Sequence, residues 1–393
     1  MANWAYPREL AEVSFKEHTK LALRHGGRER WGWREVSCGQ WEGYARGVRD
    51  DADAGASSMS GRDTVRLHRR SLGSGTQGST LRGRNTALPA DLDWIDEALT
   101  EAYEVIGGSE ETAQVHPYEF TTSMLALARE VGREKLDVVE GARVVSIERG
   151  SGRVDVSATT SSNSSVNPCN DDSVGERVER KGDRVVGVTY LTTTDESQSH
   201  RVLIPADTVL LAAGPWSPTL MPSLPITSTR VHSIVIEPAA SLSPHVLFTN
   251  IHSVDGTDAD EAFRSPEIYA RPHNRAYACG SGDDTPLPHL ASLVRPSTAA
   301  ISSLKKQVDS ISTPLRDGRV EVEQACYMPN VQGGPIVGAV DTFQGLIIAT
   351  GHTCWGICNA PGTAKAVAEL MMEGRLGKEW KLGKLKPGRF LKK

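Results

Sequence analysis

Hydrophobic and polar positions fall into blocks along this chain, and the blocks predict both helices and strands. Residues 8–26 mix Leu10, Val13, Phe15, Leu21 and Leu23 with charges and stop at Gly26-Gly27, as a helix closed by glycine does. Residues 31–36, with Trp31 and Trp33, read as a strand. A second helix is expected over 119–132, where Phe120, Met124, Leu127, Ala128 and Val131 recur at helical spacing behind His116-Pro117. Residues 137–147 predict two short strands, and 185–190 with 201–204 a hairpin pair. The apolar run from Val209 to Ala213 ends in Gly214 and predicts a strand buried on both faces. From 225 to 285 the pattern is strand-rich, clearest at 231–237, 268–271 and 277–280. Residues 290–312 carry a weaker helical pattern. Near the C-terminus an apolar strand runs into a glycine turn, and a helix follows from about Pro361 to Gly374.

Two stretches break this order. Ser, Gly, Asp and Arg dominate from 50 to about 86, and 157–182 is rich in Ser and Asn. Both read as loops or disordered insertions. Buried strands followed by helices, interrupted by an antiparallel β-rich block, predict an α/β plus α+β protein.

Composition narrows the function classes. The chain has 393 residues, enough for two packed domains. Its net charge of −5 gives no reason to expect nucleic acid. No apolar run is long enough for a transmembrane helix. The start, Met1-Ala2-Asn3-Trp4, lacks signal-peptide character, so a cytoplasmic location and free thiols are expected.

Several motif readings fail. Gly73-Ser74-Gly75-Thr76-Gln77-Gly78 matches a dinucleotide fingerprint, but His68-Arg69-Arg70 before it is no buried strand, and Gly83 and Pro89 after it break any helix. His352, Cys354 and Cys358 fall short of a zinc set, so no metal is expected. Neither a nucleophile elbow nor a P-loop is present.

The positive signal is Gly334-Pro335-Ile336-Val337-Gly338 followed by Gly351-His352-Thr353-Cys354-Trp355-Gly356-Ile357. With the Ala212-Ala213-Gly214-Pro215-Trp216-Ser217 strand end, it resembles FAD-dependent oxidoreductases of the D-amino-acid oxidase/glycine oxidase superfamily, closest to a fungal branch. Trp31-Gly32-Trp33-Arg34, His116-Pro117-Tyr118 and Tyr269-Ala270-Arg271-Pro272 extend the match. The resemblance implies an FAD-binding Rossmann-like domain, incomplete here, interleaved with an antiparallel substrate domain.

On that basis 1–112 holds an N-terminal helix and a substrate-domain segment. FAD-domain segments are expected at 113–150, 183–222 and 326–375. The substrate domain is expected at 223–325, a low-complexity loop at 151–182 and a tail at 376–393. The resemblance assigns cofactor contacts to Val144, Ala213, Gly214, Trp216, Gly334, Pro335, Gly351, His352, Trp355, Gly356 and Ile357. His352 reads equally as a structural histidine, and Trp355 as a core aromatic.

Two departures matter. The family opens with strand, G-x-G-x-x-G and helix, whereas the match here begins at residue 3, so a βαβ unit of roughly 30 residues is expected to be missing and a truncated gene model is the favoured reading. The family arginine that clamps a substrate carboxylate is replaced by Met328. Arg271, with Tyr269 and Tyr327, is the substitute candidate for the substrate, and no catalytic base is nominated. The resulting expectation is oxidation of a C–N bond in a small-molecule amine or amino acid. The alternative is a non-catalytic homologue, deficient in FAD, that binds partners. Oligomeric state is not legible.

Overall fold

Helix formation at the N-terminus follows the predicted pattern, and the last helix of the chain packs directly against it. The computed structural model describes residues 1–46, 87–150, 183–192, 200–252, 265–378 and 380–391. The helices are α1 (Arg8–His25), α2 (Gly27–Trp31), α3 (Pro117–Gly132), α4 (Ser217–Leu220), α5 (Thr298–Ile311), α6 (Thr313–Arg316) and α7 (Gly356–Glu373). The strands are β1 (Arg34–Glu35), β2 (Ser37–Tyr44), β3 (Thr100–Gly107), β4 (Ala113–Gln114), β5 (Ala142–Gly150), β6 (Asp183–Thr192), β7 (Arg201–Pro205) and β8 (Val209–Leu211). They continue with β9 (Thr227–Glu237), β10 (His245–His252), β11 (Glu267–Arg271), β12 (Arg275–Asp283), β13 (Arg319–Asn330), β14 (Ile336–Ala339), β15 (Phe343–Gln344) and β16 (Leu346–Thr350). The expected loops at 50–86 and 157–182 lie outside the described residues.

The largest sheet runs β13-β9-β12-β11-β10-β2-β3, antiparallel throughout except for the parallel pair β10–β2. Alternation along each strand gives the sheet two faces. Trp41, Ile234, Ile236, Leu247, Ile268, Ala276 and Ala278 point to one face and bury against Ile301, Leu304, Val308 and Ile311 of α5. Each of those α5 side chains contributes about 1.5–3 kcal/mol by leaving water. The residues one position out of phase, among them Val235, Val246, Phe248, Tyr269, Arg271 and Tyr277, form the wall of a cavity on the other face.

A second sheet, β14-β16-β8, places β16 and β8 parallel, with Leu346 opposite Val209. The expected burial of the 209 strand on both faces does not hold. It stands at the edge of its sheet, and Leu210 is 40% exposed. A third sheet joins β5, β6, β7 and β15, and includes the expected hairpin. The two short strands expected at 137–147 are one strand, β5.

The expected strand at 31–36 is largely helix and turn. Trp31 ends α2, fully buried against Phe120 with ring centroids 5.7 Å apart, and only Arg34–Glu35 pair as strand. Strands β2 and β3 carried no sequence expectation, and β10 only the general strand-rich character of 225–285. Gly39 and Gly43 weaken the strand signal of β2, yet Gly39 is required because a Cβ there would lie 2.2 Å from the Tyr103 hydroxyl.

Helix α7 starts at Gly356, five residues before the expected start, and contains Pro361. Proline has no N–H to give the carbonyl four residues back, which is that of Ile357. The Nε2 of His18 on α1 takes that place, 2.9 Å from the Ile357 oxygen. Beside it the Gly362 N–H donates to Ser14 Oγ, and Ser14 Oγ donates to the Asn359 carbonyl, both at 3.0 Å. A Cβ on Gly362 would sit 2.4 Å from Ser14 Oγ and 3.0 Å from the Leu10 carbonyl oxygen. Leu10 also packs with Ala366 and Val367. Gly362→Ala is therefore expected to lower unfolding free energy by about 1–3 kcal/mol through overpacking. A urea midpoint unchanged from wild type would contradict the splint.

Candidate functional site

Strands β8 and β16 run side by side in the same direction, so the turns that follow them lie together at their C-terminal ends. Open α/β sheets bind ligands at such ends. The Thr350 hydroxyl donates to the Gly214 carbonyl and accepts from Ser217 Oγ, both at 3.2 Å. Both turns also pack on β13. Gly214 has φ +53° and faces open space, with nothing within 4 Å of where a Cβ would stand. At Gly356 a Cβ would meet only His352 Cβ, at 4.0 Å. The chain's own packing therefore leaves room at both glycines. Gly351 differs, because a Cβ there would lie 2.5 Å from Val331.

Polar atoms around the start of α7 are left without partners. His352 Nδ1, Trp355 Nε1, Asn359 Oδ1 and Thr363 Oγ1 are buried and make no hydrogen bond. The Trp4 Nε1 is in the same condition, and its ring stands edge-on to Trp355 with centroids 6.0 Å apart. Buried polar atoms rarely go unsatisfied. No side chain caps α7, so its first-turn N–H groups add further donors. This set of open donors and acceptors beside open glycines fits a large polar ligand such as FAD. Burial pushes His352 down to about 4, so its imidazole is neutral near pH 7.

The cavity of about 760 Å³ lies between this region and the large sheet. Trp4, Cys354, Trp355, Ile357 and Cys358 form one side, and Val246, Phe248, Tyr269, Arg271 and Tyr277 the other. Arg271 lies over the Tyr277 ring, 4.2 Å from its centroid. It makes no ion pair among the described residues, and burial lowers its pKa. Guanidinium stays charged at neutral pH, so the wall carries an uncompensated cation. Tyr269 donates its hydroxyl proton to Glu267 Oε2 at 2.5 Å, and burial raises the phenol's pKa.

Of the residues expected from sequence, Trp355, Ile357, Tyr269 and Arg271 line the cavity. Ala213, Gly214, Trp216, Gly351, His352 and Gly356 form the paired turns beside it. Trp216 Nε1 donates to the Pro288 carbonyl at 2.7 Å. Gly334, next to Pro335, approaches Tyr6, 3.0 Å from a Cβ position. Val144 sits on β5 opposite Tyr190, 39% exposed and outside the cavity wall. Tyr327 does not line the cavity either, because its hydroxyl donates to the Pro286 carbonyl at 3.0 Å.

Sequence reading missed Gln114, and it took His116 as a helix start and part of the family match without a site role. Both line the cavity. His116 caps α3, its Nδ1 accepting from the Glu119 N–H at 3.4 Å. Gln114 donates from Nε2 to the Ala270 carbonyl at 2.7 Å, which fixes the amide so that Oε1 is the atom left unpartnered.

Comparison with known proteins identifies the family and the fold. The family model for FAD dependent oxidoreductases, DAO, matches residues 169–370. The Schizosaccharomyces pombe protein C1F5.03c is 31% identical over 295 residues, covering 73% of this chain and 67% of its own. TDA3 of Saccharomyces cerevisiae is 27% identical, covering 95% of this chain and 82% of its own. Both carry the name oxidoreductase. Among solved structures, glycine oxidase from Bacillus cereus superposes with a TM-score of 0.60 at 15% identity, covering 95% of this chain and 83% of its own. L-proline dehydrogenase from P. horikoshii gives 0.60 at 13% identity, covering 98% and 83%. The chain belongs to the DAO family of FAD-dependent oxidoreductases, and its fold is of the glycine oxidase type. Among the described residues no helix is long and apolar enough to cross a membrane.

The two buried imidazoles make stability depend on pH. Burial, outweighing the bond to Ile357, also pushes His18 down to about 4. Folding thus favours the neutral form. The stabilisation is complete above the ordinary value of about 6.5 and is lost as pH falls towards 4, up to about 3 kcal/mol per histidine. We expect the ligand-free chain to lose about 2 kcal/mol per buried histidine between pH 7 and pH 5. His18→Gln and His352→Gln should each flatten the profile. Equal urea midpoints at the two pH values in wild type would contradict this.

Proposed function

We propose that this chain binds FAD between the two glycine turns and oxidises a C–N bond of a small amine that carries a carboxylate, such as an amino acid. The observation that carries the reading is Arg271, a half-buried cation in the cavity wall with no ion-pair partner among the described residues. A planar guanidinium held flat on an aromatic ring presents its N–H edge to a carboxylate in bidentate fashion. Glycine oxidase and L-proline dehydrogenase, by their names, act on carboxylate-bearing amines, which supports the same class.

FAD, when bound, supplies a hydride acceptor. The chain supplies position and electrostatics. Gly214 and Gly356 leave space for close backbone approach, and the α7 N–H groups face that space with the positive end of the helix dipole. His352, Trp355, Asn359 and Thr363 offer the unpartnered polar atoms. Across the cavity Arg271 orients the carboxylate. The Tyr269 hydroxyl, with its hydrogen directed at Glu267, presents an oxygen lone pair to the substrate amine. The apolar lining from Trp4, Val246, Phe248 and Ile357 excludes water around the reacting carbon.

Two experiments test the proposal. Reconstitution with FAD should give a yellow protein, and Gly356→Leu should cut FAD affinity more than about tenfold while ligand-free stability stays within about 0.5 kcal/mol. Equal FAD affinity in that variant would remove the turns from the site. In a panel of amines, Arg271→Met should raise KM for carboxylate-bearing substrates about 100-fold, the loss of a charged hydrogen-bonded pair of about 3 kcal/mol. Retained turnover of those substrates at unchanged KM would refute the role of Arg271.

A further inference from the structure

Beyond the end of the cavity, three metal-ligating side chains meet on the large sheet. Glu42 of β2, Glu101 of β3 and His252 of β10 bring one ligand atom each to within 4.8 Å of one another. The His252 Nε2 is 2.9 Å from Glu42 Oε1 and 3.9 Å from Glu101 Oε2. We propose that these three residues form a binding site for a divalent transition-metal ion, zinc in the first instance, separate from the FAD and substrate cavity.

The scaffold holds the three groups without any loop. Strand β2 lies between β10 and β3, with Asn250 opposite Glu42 and Tyr44 opposite His252. On the other side Glu42 pairs with Ala102 and Gly43 with Thr100, so Glu101 is the extra residue of a β-bulge. Regular pairing would turn Glu101 to the face opposite Ala102. The bulge re-aims it towards Glu42 and His252. A simple His252–Glu42 ion pair needs no such deviation.

Distances and donor chemistry agree. Zinc bonds of about 2.0–2.2 Å in a tetrahedron separate neighbouring ligand atoms by about 3.4 Å. The 2.9 and 3.9 Å distances straddle that value and the third pair lies within 4.8 Å, so small side-chain adjustments complete the set. One imidazole and two carboxylates suit a borderline transition ion, whereas calcium prefers six to eight oxygens. Asn250 Nδ2 donates to Glu42 Oε1 at 3.3 Å, and the Tyr44 ring packs on His252 with centroids 5.6 Å apart. Both contacts orient ligands, as outer partners of metal sites do. The cavity reaches Cys38 on β2 and Phe248 on β10. The cluster lies four residues further along each strand, about 13 Å away.

The test uses the full chain stripped with chelator and titrated with zinc chloride alone by calorimetry, then with cobalt(II) followed by visible absorbance. We expect one saturable zinc per chain and a rise in Tm with zinc concentration. His252→Ala and Glu101→Gln should each weaken affinity by more than about tenfold, at least the loss that disrupting an outer partner causes. His200→Ala, an exposed histidine outside the cluster, should leave binding unchanged. Calcium should give no heat. Glu101→Gln keeps the shape of the bulge residue and carries the test if circular dichroism shows His252→Ala to be misfolded. Equal zinc affinity in wild type and both variants, or no saturable site in wild type, would overturn the proposal.

Discussion

A missing N–H at Pro361 is the constraint around which the site is organised. Left alone, the gap would leave the Ile357 carbonyl unpaired in a buried place. His18 and Ser14 fill it from α1, and Gly362 permits the close approach. The donor to Ile357 is the Nε2–H of His18, which fixes the tautomer, and burial, outweighing that bond, keeps the ring neutral. The first turn of α7, from Gly356 to Ala360, is thereby fixed relative to the body of the helix. That turn carries the residues that face the cavity. Binding geometry at one end of α7 is thus secured by hydrogen bonds made one turn further on.

The large sheet provides the opposing wall by a division of labour between its faces. Leu247, Ile268 and Ile234 anchor one face on α5. Tyr269, Arg271 and Tyr277 are free to be polar on the other because the core requirement is met behind them. Tyr269, for one, is flanked in sequence by the fully buried Ile268 and Ala270. Its backbone position is therefore rigid, while its side chain is selected for chemistry.

Local signals were legible where one segment sufficed. The glycine stop after α1, the helical spacing of Phe120, Met124 and Leu127, and the alternating strands from 231 to 280 all describe themselves. The paired turns were legible too, because glycine beside an apolar strand end marks close approach. What escaped depended on distant partners. The glycine-bearing β2 is a strand because Tyr103 covers Gly39, which no window around residue 39 can reveal. Trp31 looked like a strand aromatic, and packing against Phe120 makes it the end of a helix. Tyr327 was placed near substrate by its motif, yet the carbonyl of Pro286 claims its hydroxyl. Gln114 and the Glu42, Glu101, His252 cluster have no sequence spacing at all, since three separate strands bring the latter together.

The contact between α1 and α7 joins groups 345 residues apart in the chain. Contacts of such separation form late, after the intervening loops have closed. During synthesis α1 emerges well before α7, and its serine and histidine stay unsatisfied until α7 follows. The cavity wall built on α7 is therefore completed only after the long stretch of chain between the two helices has been made, and the early helix stays exposed to chaperones over that interval.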